Sequence, residues 1–330
     1  MRKNSVVRVG IVGCGGIARQ HLAGYRALPD VVVTQVYDVR EEAAVRLAGE
    51  AEASVAQSLE QMLELGVDAV SICTPPGVHL ENCLPFVAAG VPILCEKPLE
   101  ASAKSAAELA KAVRGRGSTF MTAFCHRFHP PIVALRGLIE AGTLGDPILF
   151  RNIFGGRMDL APDHRSRPAL SGGGTMIDTC SHSVDLFRFL VGNPTSVACM
   201  VGNVVQQLPV EDFCTLALEA GGKAFGEIAA SHSFAVGSNE VAWFGTKGTG
   251  VVNYWGNAPA LTYQVAGGTW QVVNVEETPN RFAREIAHFI QCVREGSEPA
   301  ISVEDGLKAS QIITAGYQAA AERRTVTLAL

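Results

Sequence analysis

The stretch that decides the fold is VRVGIVGCGGIA, residues 7–18. Six β-branched-rich residues (7–12), apolar but for Arg8, read as a strand that runs into Gly13-Cys14-Gly15-Gly16-Ile17-Ala18, a match to G-x-G-x-x-G/A with alanine in the third place. A helix follows over 17–27, stopped by Pro29, and a second strand over 31–37 ends at Asp38, twenty residues beyond Ala18. That strand–loop–helix context with a later acidic residue is what the hexapeptide needs to mean dinucleotide binding and not a plain turn. Gly13 permits the tight turn, Gly15 lets backbone approach a pyrophosphate, and Ala18 lets helix and strand pack closely. Gly16 and Ile17 begin the helix whose free N–H groups face the phosphates. Asp38 suits both ribose hydroxyls and repels a 2′-phosphate, which favours NAD. Arg40 partly offsets that preference and keeps NADP open.

Working outward, the same alternation continues to about residue 125. Helices are expected over 41–50, 80–89 and 102–114, and strands over 69–73, 91–95 and 119–124, the pattern of parallel strands with crossover helices. Beyond 125 the rhythm changes. A helix over 132–141, a strand over 148–154, a Gly/Pro/Arg-containing loop over 159–171 and a helix over 176–191 lead into β-like runs. Those runs (195–205, 212–220, 223–233, 240–244, 249–254, 260–265, 269–275) are separated by Gly and Asn turns, which reads as an antiparallel sheet. Helices over 281–294 and 303–323 and a strand over 325–328 close the chain. The fold class is α/β: a doubly wound parallel sheet (1–125), then an α+β domain (126–330) with a large, open, mostly antiparallel sheet.

Composition bounds the rest. At 330 residues the chain exceeds the roughly 250–300 at which one core stops growing. Charged residues are 18% and hydrophobic ones 48%, which argues against disorder and for extensive burial, some of it at a subunit interface. A net charge of -5 without a Lys/Arg cluster gives no footprint for nucleic acid. No apolar run reaches the ~18 residues of a membrane span. The nine cysteines are odd in number, lie in apolar segments and form no CxxC pair, so a disulfide or zinc framework is not expected and a reducing, cytoplasmic setting is.

Two later loops fall at the carboxyl ends of strands, where open α/β sheets bind ligands. One holds Thr74, Pro75 and His79; the other is Glu96-Lys97-Pro98. An isolated Lys97 reads equally well as a solvated turn, but its place after a strand and before a helix suits proton transfer. Further on, Gly172-Gly173-Gly174 precedes a helix with Asp178, His182 and Asp185 within about a 60° arc. A solvated helix face is the plain alternative, and a metal site would lack a fourth ligand.

With VGIVGCGGIARQH, VDAVSICTPPGVH, GVPILCEKPL, GGG-x3-D-x3-H, FAREIAHFI and SVEDGLKA in this order, the chain resembles the glucose–fructose oxidoreductase/inositol dehydrogenase/rhizopine-catabolism family over nearly its whole length. The resemblance implies a Rossmann domain followed by a domain whose open sheet makes homodimer or homotetramer contacts. It also implies an NAD(P)-dependent oxidoreductase acting on a secondary alcohol or ketone of a sugar, sugar acid, cyclitol or related polyol. Within that resemblance His182 looks like the general acid/base, Asp178 its orienting partner, and Lys97 a second group on the substrate oxygen. Asp185 serves substrate hydroxyls or supports His182. Substrate contacts are expected from Arg127, His129, Arg157, Asp163, His164, Arg165 and Arg167, although a surface loop with arginines explains 157–167 as well. An NAD-recycling glycosidase-type enzyme and a catalytically silent dinucleotide sensor are the rival functions, and no metal is called for.

Overall fold

Strands that are buried on both sides need unbroken apolar sequence, and three strands of the first sheet are buried throughout. The computed structural model describes residues 6–255, 258–276 and 278–330. From the N-terminus it runs β1 (Val7–Val12), α1 (Gly16–Arg26), β2 (Val31–Tyr37), α2 (Glu41–Ala51), β3 (Ser54–Val55), α3 (Leu59–Leu65) and β4 (Ala69–Ile72). It continues with α4 (His79–Ala89), β5 (Ile93–Glu96), α5 (Ala103–Arg116) and β6 (Phe120–Ala123). The six strands are all parallel in the order β3-β2-β1-β4-β5-β6, and every residue of β4, β5 and β6 is buried. The order reverses between β1 and β4, which opens a crevice at their carboxyl ends. Two elements escape the sequence pattern. β3 has two residues, too few for periodicity, and α3 is a seven-residue helix capped by Ser58, whose hydroxyl accepts from the Gln61 N–H at 3.1 Å.

The chain then forms α6 (Pro130–Glu140), β7 (Pro147–Arg157), α7 (Pro168–Ser171), α8 (Thr175–Asp178), α9 (Cys180–Leu190) and β8 (Ser196–Gly202). Strands β9 (Phe213–Ala220), β10 (Ala224–Ser231), β11 (Ser233–Gly245), β12 (Gly248–Asn253), β13 (Leu261–Val265) and β14 (Gln271–Val272) follow. The chain ends with α10 (Arg281–Glu295), α11 (Val303–Glu322) and β15 (Val326–Thr327). The second sheet has nine strands ordered β14-β13-β12-β11-β7-β10-β9-β8-β15, antiparallel except for the β7–β10 pair. One face is sealed by helices: Phe187 of α9 meets Phe150 of β7 edge-on at 5.7 Å, and Gly226 leaves room for the Phe187 ring. The opposite face carries Met200 opposite Thr215, Ala217 opposite Glu227 and Phe225 opposite Glu219, with Met200 69% and Phe225 49% exposed.

Three local readings change. The expected helix over 176–191 is two helices broken at Thr179, and the loop over 159–171 contains a 3-10 turn (His164–Ser166) and α7. The chain also crosses between its two compact units more than once. One unit comprises the residues up to Cys125 together with Pro279–Leu307; the other is His126–Thr278 with Lys308–Leu330. The expected 126–330 block is thus divided because α10 packs on α1, where Gly24 has no side chain and Ile286 fills the space.

Candidate functional site

In the first unit the loop after β1 is shaped by contacts only glycine allows. Gly13 has φ +89°, and a Cβ there would sit 2.6 Å from the Cys73 carbonyl carbon. Its N–H donates to the Tyr37 carbonyl at 2.7 Å, which ties the loop to the end of β2. Nothing lies within 4 Å of where side chains at Gly15 and Gly16 would begin, so the loop presents bare backbone. α1 starts there with neither a side-chain cap nor an acidic residue in its first turn, the condition for receiving an anion on its N–H groups. Ala18 is fully buried. The Asp38 carboxylate accepts from the Cys14 N–H and the Arg40 N–H, both at 2.8 Å, and the exposed Arg40 guanidinium is 3.4 Å away. Burial, with Asp38 beside it, pushes the Cys14 thiol up to about 12, so it stays protonated. The cradle fits a dinucleotide: open backbone for the pyrophosphate and a fixed carboxylate at the next strand's end for the ribose.

Thr74 accepts from the Asn82 amide at 3.1 Å through its hydroxyl. His79 is fully buried and spans the loops after β4 and β5, its ring nitrogens 2.8 Å from the Thr74 carbonyl and 3.1 Å from the Leu99 carbonyl. Lys97 follows β5, and its backbone N–H donates to the Glu96 carboxylate at 3.1 Å. Glu96 is itself buried and bonded to His21 at 2.9 Å. His21 carries no signal of its own in the sequence, because one histidine on the buried side of an amphipathic helix looks like any core residue.

The second unit gathers the triple-glycine helix. His182 is 8% and Asp185 1% exposed, and nearly every side chain of α9 is buried, so this is no solvated face. The ring of His182 lies 4.2 Å from that of His126 and 6.4 Å from Phe154. His126 bonds the Tyr254 hydroxyl at 3.0 Å, and His129 stacks on Tyr254 at 4.3 Å. The Asp178 carboxylate receives Arg165 at 3.0 Å and lies 3.3 Å from His232, which also bonds Thr179 at 3.0 Å. Asp163 holds the other side of Arg165 at 3.0 Å and meets His164 at 2.9 Å. Asp178 and Asp163 keep the Arg165 guanidinium firmly charged against its burial. Burial pushes Asp163 upward, but bonds from the Arg165 N–H and the Arg165 and His164 charges hold it below the usual carboxylate range. Arg127 grips Asp185 with two bonds, at 2.8 and 2.5 Å, and Arg188 adds a third contact at 3.6 Å. Arg157 and Arg167 are exposed.

The glycines have a local cause too. A Cβ on Gly174 would overlap the Glu211 carbonyl oxygen, and one on Gly173 would overlap the Tyr317 hydroxyl. The Glu211 carboxylate accepts from the N–H groups of Gly174 (3.0 Å) and Met176 (2.9 Å) and from Tyr317 (2.8 Å). Neither Glu211 nor Tyr317 stands near the motif in sequence, so only the fold reveals them.

Residues 7–124 match the family model described as the GFO_IDH_MocA oxidoreductase family, NAD-binding Rossmann fold, and residues 132–251 match the GFO/IDH/MocA C-terminal domain. An inositol 2-dehydrogenase of Rhizobium meliloti is 27% identical, covering 98% of this chain and 99% of its own. A scyllo-inositol 2-dehydrogenase (NAD(+)) of Bacillus subtilis is 24% identical over 90% and 89%. A solved putative myo-inositol dehydrogenase from Sinorhizobium meliloti superposes with TM-score 0.85 at 26% identity, over 98% and 100%. Levoglucosan dehydrogenase in complex with NADH and levoglucosan has the same fold, with TM-score 0.91 at 21% identity over 97% and 99%.

Proposed function

Since the chain belongs to the GFO/IDH/MocA oxidoreductase family and is an NAD-binding dehydrogenase of sugar or cyclitol CH–OH groups, we propose that its substrate is an uncharged polyol whose secondary alcohol loses a proton to His182. The carrying observation is the setting of His182: a buried imidazole among aromatic rings, with the neighbouring guanidiniums already paired. A sugar acid or sugar phosphate entering beside His182 would find Arg127 and Arg165 committed to Asp185, Asp163 and Asp178, with only the rim arginines left to meet its charge.

When bound, NAD supplies the hydride acceptor. The chain's residues hold it and handle the proton. Gly13, Gly15, Gly16, Ile17 and Ala18 form its phosphate cradle, and Asp38 takes the ribose, with Arg40, Thr74, Pro75, His79 and Glu96 around it. His182 accepts the hydroxyl proton on an imidazole nitrogen. Asp178, steadied by Arg165 and His232, is its orienting partner. Lys97 is the second proton-handling group, donating from its ammonium to a substrate oxygen. Arg157, His164 and Arg167 contribute substrate contacts from the exposed rim. Free, buried thiols suit a reducing cytoplasm, where we place the enzyme.

The test is steady-state NAD reduction at 340 nm on matched substrates: a neutral sugar or cyclitol, the corresponding uronate, and the corresponding phosphate. The neutral member should lead in kcat/KM by about 100-fold or more, as expected when a site lacks a partner for a charge. His182→Ala and Lys97→Ala should each lower kcat by about 10²–10⁴. Equal turnover of the uronate overturns the substrate class, and wild-type turnover by either variant overturns that residue's role.

A further inference from the structure

The first unit contains a chain of buried polar side chains of which the reaction outlined above uses only the last, Glu96. Tyr25 and His21 of α1 and Ser71 of β4 are fully shielded from solvent, and Glu96 at the end of β5 is almost so. The Tyr25 hydroxyl lies 2.6 Å from the Ser71 hydroxyl, Ser71 lies 2.9 Å from His21 Nδ1, and His21 Nε2 lies 2.9 Å from Glu96 Oε1. The second carboxylate oxygen, Oε2, accepts the Lys97 backbone N–H at 3.1 Å.

The direction of these bonds follows from the groups themselves. A carboxylate only accepts, so His21 Nε2 carries a hydrogen and donates. In the neutral ring Nδ1 then accepts, Ser71 donates to it, and Tyr25 donates to Ser71. Burial, reinforced by Cys73 and Glu285, pushes the Tyr25 phenol well above its ordinary range, so the donor at the head of the chain keeps its proton. With a neutral ring each bond of the chain has one direction, and a buried network of this kind rigidifies what it touches. It ends on the residue whose carboxylate holds the Lys97 backbone. It begins on α1, the helix whose first turn borders the Gly13–Gly16 loop.

We propose that His21 is a positioning residue: acting through Glu96, it fixes Lys97 for proton transfer and joins that lysine to the helix of the dinucleotide loop. The proposal rests on the role given to Lys97 above. His21 itself touches neither substrate nor cofactor in this scheme, so its loss should act on kcat and spare cofactor affinity.

The experiment compares His21→Ala, His21→Gln, Glu96→Gln, the His21→Ala/Glu96→Gln double variant and Lys97→Ala in the full chain. Steady-state kinetics are read beside NADH titration and thermal melting. His21→Ala should lower kcat by about tenfold or more while the NADH Kd stays within about threefold, and the double variant should be no worse than the poorer single one. His21→Gln, whose amide can still donate to Glu96, should recover part of the loss. An unchanged kcat, additive losses, or kcat and NADH affinity falling together with the melting temperature overturns the proposal. Should His21→Ala not fold, Tyr25→Phe removes a single hydroxyl at the head of the chain and should lower kcat in the same selective way; no change there overturns it equally. If Lys97→Ala abolishes turnover and His21→Ala leaves kcat unchanged, only this inference fails. If Lys97→Ala keeps turnover, the role of Lys97 fails, and the inference falls with it.

Discussion

Asp38 shows how much one residue position can settle. Its carboxylate stands at the end of β2, as the spacing from the glycine loop requires, yet it also accepts from the Cys14 N–H and so holds the loop it serves. Asp38→Ala should therefore weaken NAD binding by more than the loss of ribose contacts alone and should narrow the preference over NADP. Calorimetry with both nucleotides checks this, with an NAD affinity loss of about tenfold expected for a charged-acceptor bond; a variant that still binds NAD as tightly as the wild type removes the role. The motif residues around Asp38 were legible because each has a local geometric reason: a positive φ at Gly13, open space before Gly15, close packing at Ala18. His21, Glu211, Tyr317 and His232 were not, because their meaning lies in partners 20 to 140 residues away. Arg127, Arg165 and Asp185 are intermediate cases. Their presence was noticed from the sequence, but that they pair with carboxylates on other elements appears only in the fold.

Among the elements, α8 and α9 depend on a segment far down the chain. The Glu211 carboxylate caps the start of α8, and the main chain there passes so close that Gly174 admits no side chain. Gly174→Ala should cost about 1–3 kcal/mol, the range for overpacking a filled site, read as a lower urea midpoint. A neighbouring acidic residue gives a pH signature. Burial pushes Asp212 upward, but the Ser233 hydroxyl and the N–H groups of Gln206, Val204 and Val205 outweigh it and hold the carboxylate below its ordinary value. A carboxyl held lower in the folded than in the unfolded chain stabilises the fold above its ordinary pKa, and that contribution fades as pH drops toward the folded value. Urea midpoints of the wild type should fall on acidification between about pH 5 and 3, and Asp212→Asn should flatten that slope. Equal slopes would remove Asp212 as the source. No residue pattern marks the break between α8 and α9, because both sides of Thr179 are helical in pattern and Thr179 itself keeps helical dihedrals.

For the molecule as a whole, the open face of the nine-stranded sheet is the feature with most consequence. Met200 and Phe225 project from it among Ala217, Glu219, Glu227 and Arg151, a mixed face of exposed apolar and charged side chains that we propose makes self-association contacts. Light scattering should find a dimer or tetramer for the wild type, and Phe225→Asp with Met200→Glu should shift it to monomer while leaving the far-ultraviolet spectrum intact. A monomeric wild type overturns the assignment. Among the described residues no helix is long and apolar enough to cross a membrane. What the sequence by itself determined was whatever repeats at short range: a parallel nucleotide fold with five of its six strands, read from alternating apolar runs and one glycine loop, then a sheet of turns and strands. Tertiary structure alone decided which charges are already spent on one another, why three glycines stand in a row, that α10 returns to the first unit, and which buried histidine holds the carboxylate beside Lys97. The physical reason is the range of the interactions. Backbone conformation and strand burial are set by neighbours a few residues away, whereas hydrogen-bond and ion-pair partners are chosen by the fold, across separations that leave no period in the sequence.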